Sequence, residues 1–132
     1  MGFFSVNLPS IMVAESDRHD LLVLAMGGTG HSADEADNLL YELGRARVVD
    51  DQQFPPDVVR MGSSVLVSID GGEPQILRLS YPREQGNNRV SIFSAIGTAL
   101  LGLRRGQTIK WTDRDGKPHE VAVYSVSDEE HG

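Results

Sequence analysis

Asp34, Glu35 and Asp37 are the residues of this 132-residue chain whose types and spacing come nearest to chemistry. Three carboxylates within four positions can hold a hard cation through oxygen ligands, and a divalent ion so placed can activate water in a partner's active site. They also have a structural use. They follow Ser32, a good N-cap, and carboxylates in a first helical turn are favoured by the helix dipole by about 0.3–1 kcal/mol each. The glycine-rich stretch Gly27, Gly28, Thr29, Gly30 just before them suggests a phosphate loop. It follows a helical pattern instead of a strand, however, and lacks the Gly-Lys-Ser/Thr ending, so it reads as a hairpin tip. His19, His31, His119 and His131 show no ligand spacing, cysteine is absent, and there is no Gly-x-Ser-x-Gly elbow. No metal set, hydrolytic triad or cofactor is therefore expected, and each histidine reads as a solvated polar residue.

Two helices must carry that tip. Ser16 is placed to cap the first, with Asp17 and Asp20 in its opening turn and Leu21, Leu22, Leu24, Ala25 and Met26 following before Gly27 stops it. Ser32 starts the second, with Asp34, Glu35 and Asp37 near its positive end and Arg45 and Arg47 near its negative end. Ala36, Leu39, Leu40, Leu43 and Ala46 fall on one face at the three-four spacing. The two form a short antiparallel hairpin whose tip is Gly30, His31, Ser32, Asp34, Glu35 and Asp37. At about 1.5 Å per residue, a second helix of about 14 residues reaches about 20 Å. Ahead of the hairpin, Pro9 and Ile11-Met12-Val13 read as an extended lead-in.

Phe54-Pro55-Pro56-Asp57 divides the chain, because successive prolines cannot continue a helix. Residues 1–53 hold the hairpin and its lead-in, and 54–132 are strand-rich. Val65, Val67 and Ile69 alternate with Ser64, Leu66 and Ser68 before the Asp70-Gly71-Gly72 turn, and Ile76 to Tyr81 make a second strand. From Arg89 to Gly106 a strand (Val90, Ile92) feeds a helix capped by Ser94, with Ile96, Ala99, Leu100 and Leu103 facing the core. Gly102 and Gly106 then turn the chain out, with Arg104 and Arg105 at the helix end. Thr108 to Thr112 and Glu120 to Val126 add two strands around Asp115-Gly116, with Val121, Val123 and Ser125 on one face. The fold class is α+β: a helical hairpin, then an antiparallel five-stranded sheet with one short helix.

Charge narrows the partners. Of the net −7, residues 1–57 carry all of it, with three Arg or Lys against ten Asp or Glu, while residues 58–132 hold nine of each. No basic stripe is present to neutralise phosphates, so direct nucleic-acid recognition is not expected and a protein partner is. No apolar run approaches the roughly 20 residues that span a bilayer, and no signal peptide pattern opens the chain, so a cytoplasmic protein without membrane contact is expected.

Several motifs belong together. Glu42-Leu43-Gly44-Arg45-Ala46, Pro56-Asp57-Val58-Val59-Arg60-Met61-Gly62-Ser63, Tyr81-Pro82 and Ile96-Gly97-Thr98-Ala99-Leu100-Leu101-Gly102-Leu103 stand in this order between about Ala36 and Val126. In that combination the chain resembles the GreA/GreB-type bacterial transcription elongation factors, and most closely their short branch, the regulators of nucleoside diphosphate kinase. The resemblance implies an FKBP-like carboxy-terminal domain that docks on RNA polymerase at the rim of its secondary channel, with the hairpin pointing into the channel. It places the contact at Phe93, Ser94, Ala95 and Ile96. In the cleavage factors of the family a long hairpin carries an Asp and a Glu to a catalytic magnesium. This chain departs from them in its short hairpin, in a tip without their Gly-Asp-Leu-x-Glu-Asn-like run, and in Ala95 where the family has Pro after Ser. The expectation is a regulator that occupies the channel without cleavage. The alternatives are cleavage through Asp34, Glu35 or Asp37, and a peptidyl-prolyl isomerase pocket built from Phe93, Trp111, Tyr81 and Tyr124.

Overall fold

The computed structural model describes residues 8–27, 31–84, 86–113 and 115–127. Gly28, Thr29 and Gly30 of the expected tip, His131 and the acidic tail from Asp128 lie outside the described residues.

Helices α1 (Glu15–Met26) and α2 (Ala33–Arg45) form the expected hairpin. Ser32 caps α2 in a reciprocal box: its hydroxyl oxygen accepts the Glu35 N–H at 3.1 Å, and the Glu35 carboxylate accepts the Ser32 N–H at 2.8 Å. Ser16 does not cap α1. The helix starts one residue before it, Ala14 holds the cap position with no side-chain acceptor, and the free amide of Ser16 donates instead to Asp51 at 3.0 Å. A carboxylate brought in from 35 residues away makes a charge-assisted bond that a serine hydroxyl cannot match.

Arg47 is not in α2. It opens β2 (Arg47–Val49), which runs parallel to β1 (Met12–Ala14), with Met12 opposite Arg47. The apolar lead-in is thus a strand, and it claims the backbone that would otherwise have prolonged the helix.

Five strands build the main sheet: β3 (Ser64–Ile69), β4 (Gln75–Ser80), β5 (Arg89–Ser91), β6 (Thr108–Thr112) and β7 (Pro118–Ser127), in the order β5-β4-β3-β7-β6. β3 pairs antiparallel with β4 and β7, and β6 with β7, whereas β5 lies parallel to β4, so the sheet is antiparallel except at that edge. Ser125 leaves the face it was expected to share with Val121 and Val123. A bulge opposite Leu66 and Val67 makes Tyr124 the extra residue, so Val126 stands opposite Val65 and packs on the core. The turns hold the expected conformations, with Asp70 at φ 53° and Gly71 at φ 74°.

Between β5 and β6 lies α3 (Ala95–Leu100), shorter than the spacing suggests. Leu103 is still fully buried, but it lies beyond the helix, and Arg104 and Arg105 serve the Asp57 segment instead of the helix end. Arg104 pairs with the Asp57 carboxylate at 3.7 Å, and the Arg105 N–H donates to the Asp57 carbonyl at 2.9 Å.

One hydrophobic cluster runs through the whole of this structure. Leu21, Leu39 and Leu43 of the hairpin belong to it together with Val59, Phe93 and Leu100 of the sheet half. Burying each leucine stabilises by about 1.5–3 kcal/mol, and because one continuous cluster joins these leucines to Val59, Phe93 and Leu100, the hairpin packs as part of the same core as the sheet half. Among the described residues, no helix is long and apolar enough to cross a membrane.

Candidate functional site

The stretch from Ser91 to Gly102 shows why its residue types stand where they do. At the end of β5 the Ser91 hydroxyl accepts the Phe93 N–H at 3.1 Å, and the Ser91 carbonyl accepts both the Ser94 N–H at 3.0 Å and the Ser94 hydroxyl at 2.7 Å. The Ser94 oxygen in turn accepts the Gly97 N–H at 3.0 Å, which is the cap the sequence suggests. Thr98, buried, donates its hydroxyl to the Ile92 carbonyl at 2.6 Å. Gly97 permits this close approach: a Cβ there would sit 1.9 Å from the Ser91 carbonyl oxygen. Gly102 combines φ +80° with a second approach, since a Cβ would fall 2.7 Å from both Ile11 Cβ and the Met12 carbonyl oxygen.

Ser94, Ala95 and Ile96 are half-buried and reach the surface. Phe93 is only 5% exposed and belongs to the core. Of the four expected contact residues, three are therefore directly accessible.

The hairpin tip lies beside this edge. His31 stacks on the Phe93 ring with centroids 4.2 Å apart and planes 18° from parallel. Its Nε2 is 3.0 Å from the Ala25 carbonyl oxygen. A carbonyl only accepts, so Nε2 carries the proton in that bond. The other nitrogen, Nδ1, is buried without a hydrogen-bond partner among the described residues. His31 is thus not the solvated residue its sequence position suggests. Asp34 and Asp37 are exposed, whereas the Glu35 carboxylate is engaged in the capping box. Among the described residues, no group of three or more His, Asp or Glu is arranged to hold a metal ion.

At the hairpin's base, Asp17, 7% exposed, accepts from Arg60 Nε and Nη2 and from the Met61 N–H, each at 3.2 Å. Arg60 also reaches Asp51 at 3.2 Å and lies over the Phe54 ring, 5.3 Å from its centroid. The Ser16 hydroxyl and N–H, with help from Arg60, hold the Asp51 carboxyl down to about 2. Burial, reinforced by Asp17, Asp20 and Glu84, pushes the Tyr81 phenol up to about 12, so it stays a neutral hydroxyl at any physiological pH. Along α2, the fully buried Glu42 receives Arg45 Nε at 2.7 Å and Nη2 at 2.8 Å, and Arg45 Nη1 donates to the Pro9 carbonyl at 2.6 Å.

Among the described residues, His119 is the other histidine that is not simply solvated. Its Nδ1 meets Asp70 at 2.8 Å and its Nε2 meets Asp113 at 2.7 Å, across the two hairpin turns, with Trp111 stacked alongside at 5.5 Å. Asp70 first, then Asp113, raise its pKa, and both carboxyls are lowered in return. The four aromatics offered as an isomerase lining are dispersed: Phe93 is under His31, Trp111 is buried beside His119, Tyr81 is half-buried and Tyr124 is 49% exposed on the bulge.

Comparison with known proteins matches this arrangement. The family described as transcription elongation factor, GreA/GreB, C-terminal, matches residues 54–128. The regulators of nucleoside diphosphate kinase from Escherichia coli (strain K12) and Shigella flexneri are each 33% identical over 106 residues, covering 78% of this chain and 78% of theirs. The solved structure of a prokaryotic transcription elongation factor GreA/GreB from Nitrosomonas europaea superimposes with a TM-score of 0.69 at 34% identity, covering 90% of this chain and 98% of that one. With a sheet half that matches as a family domain and a hairpin that is shared with relatives along most of their length, the chain belongs to the GreA/GreB transcription elongation factor family.

Proposed function

We propose that this protein is a non-enzymatic regulator of transcription that binds RNA polymerase through the leading edge of α3 and occupies the entrance of the secondary channel with its short acidic hairpin. The observation that carries this reading is the juxtaposition of two regions 62 residues apart in sequence: the hairpin tip at His31 stacks on Phe93, directly before Ser94, Ala95 and Ile96. Docking by that edge brings the acidic tip to the same place on the partner. Helices of 12 and 13 residues extend the hairpin by only about 20 Å, and the buried leucines keep it against the sheet half. The hairpin therefore enters as part of a fixed body and blocks an entrance. It does not act as a long probe.

The same geometry supports the absence of cleavage. Glu35 is committed to its capping box, and Asp34 and Asp37 ride on a helix too short to carry them deep into a channel. Family membership and relatives described as elongation factors and kinase regulators support a regulatory role.

Purified protein should co-elute with RNA polymerase and displace a cleavage factor from it at micromolar concentration, without releasing cleaved transcript from a stalled complex. Ala95→Arg should weaken that competition far more than it lowers thermal stability, since Ala95 is only half-buried where it packs on the core and reaches the surface. No competition by the unsubstituted protein at micromolar concentration would refute the reading. Cleavage that disappears when Asp34, Glu35 and Asp37 become Ala would replace it with the enzymatic one.

A further inference from the structure

We infer that His31 is a positioning residue for the docking edge: the hairpin tip braces the start of α3 and thereby sets the surface offered to the partner. This rests on the docking reading above and adds a role for the tip within it. The brace is a continuous chain of contacts. The imidazole lies flat on Phe93 at 4.2 Å, and its Nε2–H also donates to the Ala25 carbonyl in the last turn of α1 at 3.0 Å. Phe93 is pressed between that ring and the core, with its N–H tied to Ser91, and the next three residues are the accessible ones. A motion of His31 is passed to Ser94, Ala95 and Ile96 through one ring.

The orphaned nitrogen sharpens the point. A phenyl ring at position 31 would stack on Phe93 without burying an unpaired acceptor, so the stack and the nitrogen can be separated by substitution. His31→Ala removes the brace, and His31→Phe keeps the ring while losing the bond to Ala25. The role assigned to His31 resides in the ring.

The test uses the full chain and two readouts. In competition with a labelled cleavage factor for RNA polymerase, His31→Ala should raise the half-displacing concentration about 3- to 10-fold, the range expected of one aromatic stack, while His31→Phe stays within about twofold of the unsubstituted protein. In amide hydrogen exchange, without polymerase, His31→Ala should speed exchange at Gly97 and Thr98, whose N–H groups donate to Ser94, by a similar factor, and leave Val65 and Val67 in β3 unchanged. Equal or tighter binding by His31→Ala would overturn the brace and make the tip a bystander or a mask. Unchanged exchange at Gly97 and Thr98 would overturn it even if the unsubstituted protein failed to bind polymerase, a failure that sinks the docking reading instead.

Discussion

Gly97→Ala and Gly44→Ala should move stability in opposite directions, although both add one methyl group to a helix. At Gly97 the new Cβ would meet the Ser91 carbonyl oxygen at 1.9 Å, its carbon at 2.8 Å and Ser94 Oγ at 3.0 Å, where contacts below 3.0 Å are essentially unknown. The helix and the end of β5 must therefore separate by about 1 Å. Overpacking of this kind costs about 1–3 kcal/mol. The separation also pulls on the bonds from Ser94 to Ser91 and from Thr98 to Ile92, each worth about 0.5–1.5 kcal/mol. Alanine returns about 1 kcal/mol through helix propensity. The net loss is about 3 kcal/mol, which for a chain of this size lowers Tm by about 10 °C. Gly44 has open space around it, with nothing within 4 Å of an added methyl group, so Gly44→Ala should gain up to about 1 kcal/mol and raise Tm by a few degrees. Thermal unfolding followed by far-ultraviolet circular dichroism measures both. A Gly97→Ala protein that melts at or above the temperature of the unsubstituted one would refute the close approach of α3 to β5.

Glu42→Ala leaves the Arg45 guanidinium without its bidentate partner next to a fully buried site, and should cost about 3–5 kcal/mol in urea unfolding; a loss below about 1 kcal/mol would show that the pair contributes little. His119 predicts a pH dependence whose sign is fixed. Its folded pKa is raised above 6.5, so its contribution is fully present below that value and is lost as pH rises through the raised one. The lowered carboxyls of Asp70 and Asp113 lose theirs on the acid side, below the ordinary 3.8. The difference in Tm between the unsubstituted protein and His119→Gln should thus be greatest between those limits and shrink as pH rises through the raised imidazole pKa; a difference that stays constant would refute the paired imidazolium. Asp51→Asn should lower Tm by a constant amount above pH 3.8, and that difference should shrink as pH falls from 3.8 toward about 2, because the lowered carboxyl loses its contribution over that interval; a Tm difference unchanged across it would refute the pairing with Ser16 and Arg60.

What the sequence displays and what it hides divide along one physical line. Features written within four residues are legible: the Ser32 and Glu35 box, the Ser94 cap, the Asp70-Gly71 turn, and the alternation that puts Val65 and Val67 in the core. Pairings across the chain leave no periodicity. Asp51 caps a helix 35 residues before it, His31 meets Phe93, and β1 finds β2 on the far side of the hairpin. Even the bulge at Tyr124 is a property of two strands together, which is why Ser125 and Val126 exchange their expected faces. The proposed contact residues are legible only through the resemblance; that Phe93 lies beneath a histidine from the hairpin tip required the fold.

In the folded chain, the motifs that carry the family resemblance share a task. Glu42 fixes Arg45, which holds the Pro9 carbonyl; Arg60 clamps Asp17 at the base of the hairpin; Gly102 lets Ile11 and Met12 close on the loop after α3. The first of these ties the amino-terminal segment to the hairpin, and the other two fasten them to the sheet half. Their common product is a geometry: the angle and distance at which the hairpin stands to α3. In this chain that geometry is short and closed, with His31 resting on Phe93 itself. Under the proposed docking, the hairpin's length and its seat against α3, more than the chemistry of its carboxylates, set what it does at the partner.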